Sequence, residues 1–186
     1  MLNLFHAILR KVGLASRFSR PEGPTEYFYR NGQPEFRGSY HNGKQEGLWE
    51  FFHENGRLEF RGTFKNGERD GPWEIHYDNG RLKLKGNSRE GRPEGAFERR
   101  YENGRIWERL NYRDGELDGP YETYFENGRL NERGSYLEGR PDGFWEYFYP
   151  SGQLRKRGHF RDRRKDGLWE IFDEHGQLQA QRVFPD

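Results

Sequence analysis

Residues 47–70 read GLWEFFHENGRLEFRGTFKNGERD, and the rest of the chain is built on this segment. Two runs in it, Leu48 to Phe52 and Leu58 to Phe64, mix aromatic with charged residues at short period, around Asn55-Gly56. Such alternation marks a half-buried strand, and Asn-Gly between two such runs is the strongest short-range signal for a hairpin. Outward from here, Gly-x-aromatic-Glu returns every 24 residues, with units opening at Gly23, Gly47, Gly71, Gly95, Gly119, Gly143 and Gly167. Six units are complete and the seventh is cut short at Asp186. The opening Gly and the Glu three residues later are invariant, and an aromatic precedes that Glu in every unit but the first, which has Thr25.

With positions numbered from the opening Gly, a two-residue type I′ turn at positions 9 and 10 sets the expected register. Position 8 then faces 11, 5 faces 14, 4 faces 15 and 3 faces 16. Opposite charges fall together at 4 and 15 (Glu26–Arg37, Glu50–Arg61, Glu74–Lys85, Glu98–Arg109, Glu122–Arg133, Glu146–Arg157) and at 8 and 11 (Glu54–Arg57, Asp78–Arg81). Apolar pairs fall at 5 and 14 (Tyr27–Phe36, Phe51–Phe60, Ile75–Leu84), and Trp49, Trp73 and Trp145 fall over Gly62, Gly86 and Gly158. Each such cross-strand pair is worth roughly 0.2–1 kcal/mol. A three-residue loop with a bulge pairs the Glu column with apolar or mixed residues, so the two-residue turn is preferred. The second link of each unit, as in Asn66-Gly67-Glu68-Arg69-Asp70, reads as a turn or short loop whose pairing stays open. The acidic residue closing each unit is expected to bond turn amides. Seven units at two strands each would extend roughly 65 Å.

Composition agrees with a thin sheet. Aromatic residues make up 17% and charged residues 34%, while the net charge is only +1. Disordered chains are poor in aromatics and carry unbalanced charge. There is no Cys, which removes disulfides, thiolate metal sites and cysteine nucleophiles. The near-neutral balance argues against nucleic acid as a partner. The six His residues show no metal-ligand spacing, and no P-loop, GxSxG elbow or EF-hand loop occurs. No catalytic residue, metal or cofactor is therefore expected. A column of seven equivalent carboxylates reads as a structural ladder, because catalysis needs one residue in an unusual environment.

The 24-residue unit resembles the variant MORN repeat, and more narrowly the YwqK-like bacterial antitoxin family. The resemblance covers residues 23–186. It implies an all-β, elongated antiparallel β-hairpin repeat array of seven units that acts as a non-enzymatic interaction module. The family label further implies an antitoxin or immunity protein that neutralises a bacterial toxin or effector. Arrays of this kind are also associated with membrane attachment and scaffolding.

Residues 1–22 stand outside the repeat. The first twenty-one contain no Asp or Glu and carry a charge of +4, against −3 for the remainder. Leu2, Phe5, Ile8, Leu9 and Val12 share one face at helical spacing, so a short amphipathic helix and linker are expected here. A cap over the first sheet edge and a membrane contact through residues 1–20 compete as its role. No basic residue precedes the apolar stretch and no small-residue cleavage site follows it, so a secretory signal is not expected and the cytoplasm is the expected compartment.

The fourth unit breaks the pattern. It has Arg99, Arg100 and Glu108 where its neighbours have apolar residues, Leu110 where they have Gly, and Trp107 in a column without other Trp. The expected register sets Arg99 against Glu108 and Arg100 against Trp107 as a cation–π pair. With the flanking departures His76, Ser88, Thr123 and Glu132, these residues form a candidate surface for a protein partner, since Trp and Arg dominate interface hot spots. Compensated drift within one repeat is the alternative. The oligomeric state stays open.

Overall fold

The computed structural model describes residues 21–185, so the helix expected at the N-terminus lies outside the described residues apart from its linker. Fifteen strands follow one another in a single antiparallel sheet. They are β1 (Gly23–Phe28), β2 (Pro34–His41), β3 (Lys44–Phe52), β4 (Leu58–Lys65), β5 (Glu68–His76), β6 (Leu82–Arg89), β7 (Arg92–Arg100), β8 (Ile106–Arg113), β9 (Glu116–Leu117), β10 (Gly119–Tyr124), β11 (Leu130–Leu137), β12 (Arg140–Phe148), β13 (Leu154–Arg161), β14 (Arg164–Phe172) and β15 (Leu178–Phe184). Strands β9 and β10 both pair with β8 and are separated at Asp118. The architecture is therefore the all-β hairpin array that the repeat implies.

The Asn-Gly hairpin turn is not the expected two-residue one, and the second link, whose pairing the sequence leaves open, takes that form instead. At Asn55-Gly56 the loop has three residues: the Gly56 N–H donates to His53 O (2.8 Å) and the His53 N–H to Arg57 O (2.8 Å). Only Gly56 is left-handed (φ 80°); Asn55 is not, and its Oδ1 accepts the Arg57 N–H (3.0 Å). The two-residue type I′ turn lies in the second link, where Asn66 (φ 54°) and Gly67 (φ 86°) are both left-handed and Lys65 pairs with Glu68. The expected 8–11 rung consequently does not form, and Arg57 instead donates to Asp78 O in the next unit (3.1 Å). A second offset cancels the first. Phe52 pairs with Leu58 but Phe51 with Phe60, leaving Glu59 as the extra residue of a bulge. From there inward the expected register holds: Phe51–Phe60, Glu50–Arg61 and Trp49–Gly62 are partners, as are their equivalents in other units.

The aromatic-over-glycine contact is also one strand away from its expected place. A Cβ on Gly38 would run into the Trp49 indole, one on Gly134 into Trp145 and one on Gly158 into Trp169. Each large ring thus covers the glycine of the preceding unit rather than its own hairpin partner, and joins unit to unit. Trp49 is fully buried although the sheet is one layer thick, because Phe36, Tyr40, Phe51 and Phe64 surround it at centroid distances of 4.9–6.3 Å. Offset and edge-to-face pairs of this kind contribute about 0.5–1.5 kcal/mol beyond the area they bury. Leu110 breaks the glycine column, and the next unit correspondingly carries Tyr121, not Trp, at that position.

The opposite face carries the charged ladder. Arg37 pairs with Glu26 on one side and Glu50 on the other, and the alternation continues through Arg157 and Glu170. The shortest bonds often cross between units: Arg37–Glu50 at 2.5 Å, Arg133–Glu146 at 2.5 Å and Arg157–Glu170 at 2.6 Å. Burial raises the Glu50 carboxyl, but bonds from Arg37 and Arg61 outweigh it and hold the group below the ordinary carboxylate range. The closing acidic residues divide by length. Glu22, Glu46 and Glu94 accept the backbone N–H of Asn42, Asn66 and Asp114 in the following turn, while the shorter Asp118 and Asp166 pair with Arg113 and Arg161.

Candidate functional site

Positions 5 and 14 form one row that crosses the whole aromatic face. It begins Tyr27, Phe36, Phe51, Phe60, Ile75, Leu84, and each neighbour in that order is a paired residue on the next strand. From Arg99 the row turns polar: Arg99, Glu108, Thr123, Glu132, Tyr147 and Lys156 follow in unbroken cross-strand contact before Ile171 restores the pattern. Four of the residues expected to form a surface patch, Arg99, Glu108, Thr123 and Glu132, are therefore direct neighbours.

Trp107 joins them from β8. The Arg99 guanidinium lies 4.7 Å above the Trp107 ring and 3.8 Å from the Glu108 carboxylate. Trp107 stacks on Tyr101 at 5.7 Å and stays 40% exposed, so the Arg–Trp pair is presented outward from a fixed base. The Tyr121 hydroxyl donates to Glu108 (3.4 Å), and Asn131 bonds Thr123 (3.0 Å), which is buried. At the far end the Lys156 ammonium sits 4.0 Å over the Tyr147 ring.

The electrostatics follow from half-burial. Burial raises the Glu132 carboxyl, against the neighbouring Tyr121 and Thr123 hydroxyls and the fields of Lys156 and Arg155. Burial and then Glu108 and Glu132 push the Tyr121 phenol far above its usual value, and burial and Glu132 take Tyr147 to about 12. Burial lowers the Lys156 ammonium, with Arg155 and Lys165 adding to the effect. The row thus reads cation, anion, hydroxyl, anion, phenol, cation on an otherwise apolar face. It offers partners for complementary charge and a stacking surface. Among the described residues no three His, Asp or Glu side chains converge as a metal site.

Three expected members do not belong here. Arg100 is on the charged face, where it pairs with Ile106 and bonds Glu98 (2.7 Å) and Gly104 O (2.9 Å). The cation–π partner of Trp107 is accordingly Arg99, because the bulge between Arg99 and Arg100 shifts the pairing by one. His76 occupies the same column as Arg100, and its carbonyl accepts from His53 (3.1 Å). Ser88 lies on the aromatic face but is buried under Trp73, whose indole N–H it accepts at 3.0 Å. Tyr121, Tyr147 and Lys156 were not expected, although Lys156 is visible in sequence as a charge in an apolar column.

Six stretches, residues 21–42, 45–66, 93–114, 117–138, 141–162 and 165–184, match the family pattern described as MORN repeat variant. They are in phase, and the stretch they skip, 69–90, folds as the same pair of strands, β5 and β6. A comparison with curated proteins found no match.

Proposed function

We propose that this chain, which belongs to the MORN repeat variant family, is a non-enzymatic array that binds another protein through the polar row of its aromatic face. Such repeats are generally binding modules, with protein or membrane as their target. The observation that carries the reading is the run from Arg99 to Lys156, where five of six consecutive row positions, all but Tyr147, carry polar or charged side chains in place of the apolar packing of the first three units. Drift in one repeat would not extend in phase over six strands. Buried charge is costly unless it is complemented, and a partner that seals this row would complete that complement. The partner we propose is a toxin or effector whose active surface the rigid face covers in the cytoplasm; the resemblance to the antitoxin family supports this.

The test is capture of the partner by the full chain, followed by affinity measurement with Arg99→Ala plus Trp107→Ala and, separately, Arg100→Ala. The first variant should lose at least about tenfold in affinity, the range of an interface hot spot, and the second should lose little. Equal affinity for both refutes the assignment of the row. If the chain instead sediments with anionic vesicles and binds no protein, the protein-partner reading fails. Co-expression separates the finer proposal: a captured protein that is not toxic alone would refute the antitoxin role and leave the binding surface standing.

A further inference from the structure

The charged face carries a groove that the polar row does not explain. Its floor is the backbone of positions 3 and 16. One wall is the Glu–Arg ladder, and the other is the row of positions 2 and 17. Its central segment is about 400 Å³ and is lined by Leu48, Thr63, Pro72, Asn87 and Ala96 opposite Arg61, Glu74 and Lys85. The same columns line a cavity on each side of it, from Pro24 to Glu50 and from Lys85 to Glu122. The groove therefore crosses the strands through the first five units.

Two features identify an occupant. The first is charge. Arg37, Arg61, Lys85 and Arg109 are 50–54% exposed, whereas Glu50 is 7% and Glu98 14% exposed, with Glu74 and Glu122 at 34% and 37%. The cations stand outside their carboxylates, so the wall presents one outward positive group per unit. The opposite wall alternates polar position-17 residues, Thr63 and Asn87, with one apolar position-2 residue per unit, Leu48 (52% exposed), Pro72 and Ala96. The second feature is spacing. Two strands per unit repeat the wall every ~9.6 Å. A polyproline II helix has three residues per turn and a rise of ~3.1 Å, so its edges repeat every ~9.3 Å. Over three units the mismatch is only about 1 Å. A β-strand, whose side chains repeat on one face every ~6.8 Å, and an α-helix of ~5.4 Å pitch fall out of step within one or two units.

We infer that this groove binds an extended acidic, proline-containing segment in the polyproline II conformation, one turn per unit, with one acidic edge on the cation row and one apolar edge on the row through Leu48, Pro72 and Ala96. Such a helix has three edges, and the third stays in water. The inference concerns the face opposite the polar row and does not rest on the function proposed for that row.

The experiment uses the full chain and fluorescent synthetic peptides of about five triplets, long enough to span the groove at ~9.3 Å per triplet. Repeated Glu-Pro-Ser should bind at low salt and weaken as salt rises. Repeated Glu-Ser-Ser, equally charged but not pre-organised, should bind at least about tenfold more weakly, and repeated Lys-Pro-Ser should not bind. Ala96→Trp, which fills the groove, and Lys85→Glu should each weaken Glu-Pro-Ser binding at least about tenfold, and Leu48→Glu is a second wall variant should either fail to fold. Trp107→Ala, on the other face, should leave binding unchanged. Equal binding of Glu-Pro-Ser and Glu-Ser-Ser overturns the inference, since the face would then read charge alone. So does full binding by folded wall variants, or binding of phosphatidylserine vesicles without any peptide binding.

Discussion

The contact that joins units can be tested by adding one methyl group. A Cβ on Gly86 would lie 2.8 Å from Cε1 and Cζ of Phe97 and 2.9 Å from its Cδ1. Carbon atoms prefer about 3.5–4.0 Å, so the ring must withdraw by roughly 0.7–1 Å. It has little room: Phe97 is buried, with Trp73 at 5.2 Å and Tyr112 at 4.7 Å between centroids. Overpacking of this kind costs about 1–3 kcal/mol. Gly86 is not left-handed, so Ala brings no backbone strain and by itself contributes about 0.5–1 kcal/mol of stability through the unfolded chain. The expected net effect of Gly86→Ala is a loss of about 0.5–2 kcal/mol. Urea unfolding followed by Trp fluorescence measures it, with the slope checked for loss of cooperativity between repeats. In a Phe97→Ala background the same change should be neutral or stabilising, because the ring it strikes is gone. If Gly86→Ala raises the midpoint in the native background, or shifts it equally in both, the reasoning is refuted.

Three further outcomes follow from the same geometry. Glu90 and Glu138 occupy the first left-handed position of type I′ turns (φ 49° and 48°), where Asn is preferred, so Glu90→Asn plus Glu138→Asn should raise stability by about 0.5–1 kcal/mol and the melting temperature by about 1–4 °C. Glu50→Gln removes a buried carboxylate shared by Arg37 and Arg61 and should cost about 1–3 kcal/mol at neutral pH by urea unfolding; the difference should shrink as pH falls through the depressed native pKa, because below it the native carboxyl is protonated too. Glu132 has the opposite sign: its native carboxyl holds its proton to higher pH than the unfolded one, near ~4.3, so stability falls as pH rises through that window. Glu132→Gln should remove this fall and stabilise the chain at neutral pH, and a pH series of unfolding midpoints that is unchanged by the substitution would refute the burial argument.

Much of the candidate site could be read from the sequence, because in a sheet of fixed period a column number fixes both strand position and face. Arg99, Glu108, Thr123 and Glu132 all fall at position 5 or 14, and the structure makes them neighbours. Arg100 and His76 fall at position 6, beyond the bulge, and go to the other face. The sequence contains no separate sign of that bulge. Lys156 was readable as a charge in an apolar column, whereas Tyr121 and Tyr147 are aromatic where aromatics are expected and reveal their polar surroundings only in three dimensions.

The sequence by itself determined the repeat length, the strand count per unit, the partners at positions 3, 4 and 5 and the division into a charged and an aromatic face. Period-two alternation and a strict 24-residue phase select a register that keeps Glu against Arg, which the three-residue loop and its compensating bulge also preserve. Only the tertiary structure decided which turn was which. Asn55-Gly56 and Asn66-Gly67 are the same dipeptide, but the first closes a three-residue loop, from which the Asn55 amide donates to Asp78 O in the next unit (2.8 Å), and the second a two-residue turn. It also decided that Trp49 covers Gly38 rather than Gly62 and that Arg37 bonds Glu50 more closely than its own hairpin partner. Those contacts join neighbouring units, and a pattern that repeats identically in each unit does not say on which side its neighbour's atoms will fall.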